Sequence, residues 1–182
     1  MRKWNTLLSI CIIILFLIHA VAGGFQLMGL LPGDNGILSV LAKIMLLLII
    51  IHAVIGSKLT WDSIASCKKS GVFYYKENRL FWARRISGFA IIIFILIHVI
   101  LFLGKNEGAY RLNYFGTFQL VTQILMVLSL AIHVVTNINP LIISFGILKI
   151  KEYAVDILVV LSAILLFTGV GFVIYYIRWI IW

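Results

Sequence analysis

The chain of 182 residues is 63% hydrophobic and 12% charged, which excludes a soluble globular domain, because one core of this size cannot bury so much apolar surface. Its formal charge of +9 invites a nucleic-acid reading, but the basic residues flank apolar runs, where they are a topology signal, and no nucleic-acid partner is expected. The composition therefore implies an all-α integral membrane protein.

Five apolar runs approach or exceed the roughly 18 to 20 residues that a helix needs to cross a bilayer. They predict a single transmembrane domain over 1–182, with helices at about 4–22, 37–56, 85–103, 116–136 and 154–178. Arg2, Lys3, Lys58, Lys68, Lys69, Lys76, Arg79, Arg84, Arg85, Lys149 and Lys151 fall on one side, against Lys105, Arg111 and Arg178 on the other. The positive-inside rule then places the N-terminus in the cytoplasm and the C-terminus outside.

Met1 to Asn5, an apolar run and Ala20-Val21-Ala22 mimic a cleavable signal peptide, but cleavage there would remove His19, and the stretch is read as a retained first helix. Gly23-Gly24 is expected to end it, and the turn residues Pro32, Gly33, Asn35 and Gly36 lead into the second helix. The basic stretch from Gly56 to Arg85 reads as a solvated loop resting on anionic lipid headgroups. It also offers Trp61, Phe73, Tyr74 and Tyr75 to a cytoplasmic partner. The fourth helix is expected to stop at Asn137-Ile138-Asn139-Pro140, with the segment from Leu141 to Tyr153 lying along the interface. The fifth has no histidine and should brace the bundle through Gly169 and Gly171. Tyr175, Tyr176, Trp179 and Trp182 would form an aromatic belt beside it. Cys11 and Cys67 lie apart and imply no disulfide, and no CxxCH motif for covalent haem attachment occurs.

The chemistry lies in the four histidines, which are all the chain has. His19, His52, His98 and His133 each follow an isoleucine deep in an apolar run, one in each of the first four predicted helices. An ionisable group at such depth is costly and reads as functional by default. Neutral imidazole is the commonest side-chain metal ligand, and four of them suit two bis-histidine haems. Helical rise gives the pairing. His19 lies about 22 Å above Trp4 and His98 about 20 Å above Arg85, whereas His52 and His133 lie only about 6 to 9 Å from their inner ends. Ligands of one iron must share a depth, so His19 pairs with His98 near the outer face and His52 with His133 near the inner. The two irons would stand roughly 12 to 16 Å apart along the membrane normal. Lys43, about 13 Å above His52, is level with the outer pair and suits a haem propionate there. Arg84, Arg85 and Ser87 suit the inner propionates.

Five helices, an inside N-terminus, one histidine on each of the first four helices, and Arg85-Ile86-Ser87-Gly88 ahead of His98 together resemble a known family. It is the dihaem cytochrome b membrane anchor of succinate:quinone oxidoreductases, that is, succinate dehydrogenase and fumarate reductase of the single-anchor type. The resemblance covers essentially the whole chain and implies two b haems, with His19 and His98 holding the distal one and His52 and His133 the proximal one. It further implies a location in the cytoplasmic membrane and a partner iron-sulfur subunit and flavoprotein, which carry the iron-sulfur clusters and FAD. The quinone would be menaquinone, by family habit.

A quinone site needs polar donors near a haem at the membrane boundary. Gln26 and Asp34 lead as catalytic candidates at the outer end, with Asn35, Asn113, Gln119 and Gln123 nearby. The chain departs from some fumarate reductases of the family in having no Asp or Glu in the middle third of any predicted helix, so turnover across the membrane is expected to be electrogenic. Two other readings stay open: a cytochrome b subunit of a hydrogenase or formate dehydrogenase, and a haem-free transporter or assembly factor that relays protons through its histidines.

Overall fold

The computed structural model describes residues 2–33, 35–71, 78–102, 114–144 and 154–181. The described residues form five α-helices: α1 (Arg2–Met28), α2 (Gly36–Ser70), α3 (Arg79–Phe102), α4 (Thr117–Ser144) and α5 (Ala154–Ile181). Each is long and apolar enough to span a bilayer, and the chain is a multi-pass membrane protein. Large apolar side chains such as Leu47, Ile93, Leu128 and Leu166 stand exposed along the outside. Lipid, rather than an internal core, is their solvent.

Four helix ends run six or more residues past the expected limits. Gly23-Gly24 does not end α1, which continues to Met28. It ends instead at Gly29, whose φ of 79° belongs to a left-handed cap. The Gly29 amide bonds the Gln26 carbonyl and the Leu30 amide that of Phe25, the paired bonds of a Schellman ending. The largest difference is in α2, which is 35 residues long. It carries straight on through what reads in the sequence as a loop, because Gly56 costs a helix only about 1 kcal/mol. Thr60, Ser63 and Ser66 then fold their hydroxyls back onto the carbonyls four residues earlier. Asn35 caps its start, its Oδ1 accepting from the amides of Ile37 and Leu38, and Gly71 closes its end at φ 70°. The third helix begins at Arg79 rather than Arg85. The fourth passes through Asn137 to Pro140 and reaches Ser144, so Leu141 belongs to it; the remainder of the expected interfacial segment lies outside the described residues. Trp61 stands on the extension of α2 and is 74% exposed, while Phe73, Tyr74 and Tyr75 lie outside the described residues.

Packing makes a square of α1, α2, α3 and α4, with α3 laid along α4 and α1 along α2. The other two edges are loose. The edge between α1 and α4 is closed by α5, which packs against both, and α2 meets α3 at only a few points. Gly24 and Gly171 make the closest part of the α1–α5 contact: a Cβ on Gly171 would lie 3.6 Å from the Gly24 Cα, and one on Gly24 would run into the Phe167 ring. Gly169, in contrast, has open space beside it and takes no part in this contact.

The two ends of the bundle differ chemically. At one end, called here the basic end, the start of α1 meets the end of α4 through Thr6 and Ser144 at 2.9 Å, and Ile138, Ile142 and Ala154 pack together. At the other, aromatic end, Phe115, Phe172 and Tyr175 form a buried cluster against Phe102, Leu27 and Trp179. Tyr175 is thus a core residue rather than part of an aromatic belt.

Candidate histidine sites

A cavity of about 980 Å³ runs down the square, and all four histidines line it. They come from the two diagonals, α1 facing α3 and α2 facing α4, where no backbone contact closes the space. No three His, Cys, Asp or Glu side chains converge into a metal site among the described residues; His19 and His98 make a ring contact, and His52 and His133 lie within electrostatic reach of each other.

At the aromatic end the rings of His19 and His98 have centroids 6.1 Å apart and planes at 81°. Hydrogen-bonded imidazoles would bring their centroids to about 5 Å. Two imidazoles on opposite sides of one metal, each nitrogen about 2 Å from it, would have centroids on the order of 6 Å apart. The observed spacing is too long for a direct hydrogen bond and is compatible with the second arrangement, as it is with a plain edge-to-face ring contact. His98 is held from two directions. Its Nδ1 lies 2.8 Å from Oε1 of Gln123 on α4, and its ring lies against Phe102 at 5.0 Å and Phe172 at 6.2 Å.

The pair at the basic end is built the same way with the helices exchanged. Nδ1 of His133 on α4 lies 3.3 Å from the Ser87 hydroxyl and 3.3 Å from the Arg84 carbonyl, both on α3. The Ser87 hydroxyl itself donates to the Arg84 carbonyl at 3.1 Å, so its lone pair is left to accept from His133. Gly88 makes room for this ring, since a Cβ there would lie 3.3 Å from His133 Cε1. His52 and His133 are within electrostatic reach of each other and of Arg85. His52 Nδ1 is buried without a hydrogen-bond partner.

The antiparallel register of α3 and α4 sets both contacts at once. His98 lies eleven residues after Ser87 and His133 ten after Gln123, about 15 to 17 Å of helix on either side. A histidine whose Nδ1 carries the proton leaves Nε2 as a lone-pair donor. Both clamps therefore leave the Nε2 lone pair of one histidine per pair unused by the hydrogen bond at Nδ1.

Both arginines line the basic end of the cavity. Arg84 Nε donates to the Thr136 carbonyl at 2.8 Å. Pro140 lies four residues after Thr136 inside α4 and has no N–H to offer that carbonyl, so a helix defect on α4 supplies the acceptor for a guanidinium on α3. Arg85 reaches across to α2, donating to the Gly56 carbonyl at 3.4 Å, and its guanidinium carbon sits 5.1 Å over the Phe81 ring. Its Nε is buried and unpartnered, a donor prepared for an anionic group in the cavity. Lys43 also lines the cavity, from α2.

Other polar candidates are spread out. Gln26 lines the aromatic end of the cavity and donates to the Pro32 carbonyl at 3.1 Å. Asp34 and Asn113 lie outside the described residues. Asn35 is occupied as a cap, and Gln119 accepts from the Gly116 amide. Two roles escape the sequence reading. Gln123, grouped there with polar residues of the outer end, is the partner of His98. Arg178, counted only as a topology charge, lines the cavity mouth and donates to the Leu27 carbonyl at 3.0 Å. The signal for Gln123 was its register: ten residues from His133, it falls level with His98. Compared with protein-family models, curated proteins and solved structures, the chain has no match.

Proposed function

We propose that this chain is the dihaem cytochrome b anchor of a quinone-linked respiratory enzyme of the succinate dehydrogenase and fumarate reductase type. The observation that carries the reading is the His19–His98 centroid distance of 6.1 Å across a cavity that also receives His52 and His133. His19 and His98 would hold one haem b, and His52 and His133 the other. Bound there, the haems supply reversible one-electron chemistry. Lys43 would face the propionates of the first, and Arg84 and Arg85 those of the second, Arg85 through the Nε that now has no partner; Ser87, expected there from the sequence, gives its proton to the Arg84 carbonyl and so orients His133 instead.

The chain's own contribution is to hold the ligands, exclude water and separate the two centres along the membrane normal. The basic end would face the cytoplasm by the positive-inside rule, where an iron-sulfur subunit and a flavoprotein would exchange electrons with the His52–His133 centre. The aromatic end would exchange electrons with a quinone, menaquinone by the family resemblance, near Gln26 and Asp34. The reaction would be quinone reduction or quinol oxidation, in the cytoplasmic membrane.

Purification from native membranes tests this. We expect a reduced-minus-oxidised spectrum of b-type haem, two haems per chain, and co-purification of a flavoprotein that turns over succinate or fumarate. H98A should lose the haem of the aromatic end and H133A that of the basic end. A chain isolated without haem would sink the proposal, and co-purification with a hydrogenase or formate dehydrogenase would reassign its partner.

A further inference from the structure

Gln123 is 0% exposed, and a buried amide in an apolar helix is costly unless its groups are hydrogen-bonded. Its neighbours fix which way the amide points. The Thr122 hydroxyl is committed as a donor to the Gln119 carbonyl at 2.8 Å, so Thr122 Oγ1 can only accept from the Gln123 amide nitrogen, 3.5 Å away. That leaves Gln123 Oε1 toward His98 at 2.8 Å. An oxygen there accepts, so the proton sits on His98 Nδ1 and the lone pair on Nε2. The other centre has a different arrangement, with His133 Nδ1 shared between a hydroxyl and a backbone carbonyl, each at 3.3 Å.

We infer that Gln123 is the positioning residue of the His19–His98 centre, selecting the metal-binding tautomer of His98 and giving that centre an electronic character separate from its partner's. The inference rests on the proposed haem ligation. Outer partners of a ligating histidine fix its ring and raise its basicity. The shorter bond to the amide oxygen therefore makes His98 the more firmly oriented of the two clamped histidines. A structural role alone, as polar glue between α3 and α4, would leave the properties of the iron untouched.

The test is a redox titration of the holoprotein from native membranes, with electron paramagnetic resonance of the oxidised haems. The H98A and H133A variants identify which signal belongs to which centre. Q123M keeps the length of the side chain and replaces the amide oxygen with a sulfur that accepts only weakly. We expect it to shift the potential and resonance of the aromatic-end haem alone and to weaken that haem's retention by about 10- to 100-fold. Q123E, which keeps an acceptor, should restore retention, and S87A should move only the basic-end signals. Should Q123M fail to accumulate, T122V releases the amide from its orientation and should give the same shift at smaller amplitude. Wild-type potentials and resonances in Q123M or T122V, with both haems present, would overturn the positioning role and leave the dihaem reading intact. A wild-type protein without haem would instead defeat the dihaem reading itself.

Discussion

Gly88 is where a single side chain would most directly disturb a histidine. The Cβ position already lies 3.3 Å from the His133 ring, so a branched side chain must push the ring off the Ser87 and Arg84 acceptors. G88V is expected to cost about 1 to 3 kcal/mol by overpacking and, on the proposed dihaem reading, to reduce haem content to one per chain while keeping the aromatic-end signal; haem quantification checks this. The four histidines were legible in the sequence because ionisable groups inside apolar runs are few, and their depths follow from counting residues at a fixed rise. Gln123 was not, because a glutamine near a helix start looks the same whether it faces a headgroup or a ring. Only the α3–α4 register distinguishes the two. Pro140 was misleading in a useful way: read as a stop, it is a break in one hydrogen bond that Arg84 uses.

At the level of the helix, the number and order of elements followed directly from the apolar runs, and the ends did not. Hydropathy reports which part of a helix lies in lipid, whereas the helix itself ends where its caps are. Gly29, Asn35 and Gly71 mark those caps, and they lie beyond the apolar limits of α1 and α2. The bracing role expected of α5 rests on one of the two glycines proposed for it. Gly171 faces Gly24 at close range, and the Gly24 position is roofed by Phe167. In a bilayer such packing, rather than a hydrophobic drive, holds helices together. G24V should therefore loosen α1 from α5 and destabilise the protein by about 1 to 3 kcal/mol, read as a lowered thermal midpoint in detergent. G169V, pointing into open space, should leave the midpoint unchanged.

For the molecule as a whole, the lining of the cavity decides what can move along it. Histidines, arginines, Lys43 and neutral side chains line it, and no carboxylate does so among the described residues. The described residues thus offer protons no acidic relay beside the proposed electron path, and charge crossing between the faces should go uncompensated. Proteoliposomes turning over with a quinone are expected to develop a membrane potential, measured with a voltage-sensitive dye; strictly electroneutral turnover would contradict this. The edge between α2 and α3 has a further consequence. The bond described there, from Arg85 to the Gly56 carbonyl, is a long one at 3.4 Å, while α5 buttresses the opposite edge. Low contact density makes local opening cheap, so this edge is the one expected to open before the others. On the proposed dihaem reading, this is the side from which a flat macrocycle would enter, past the Arg85 guanidinium.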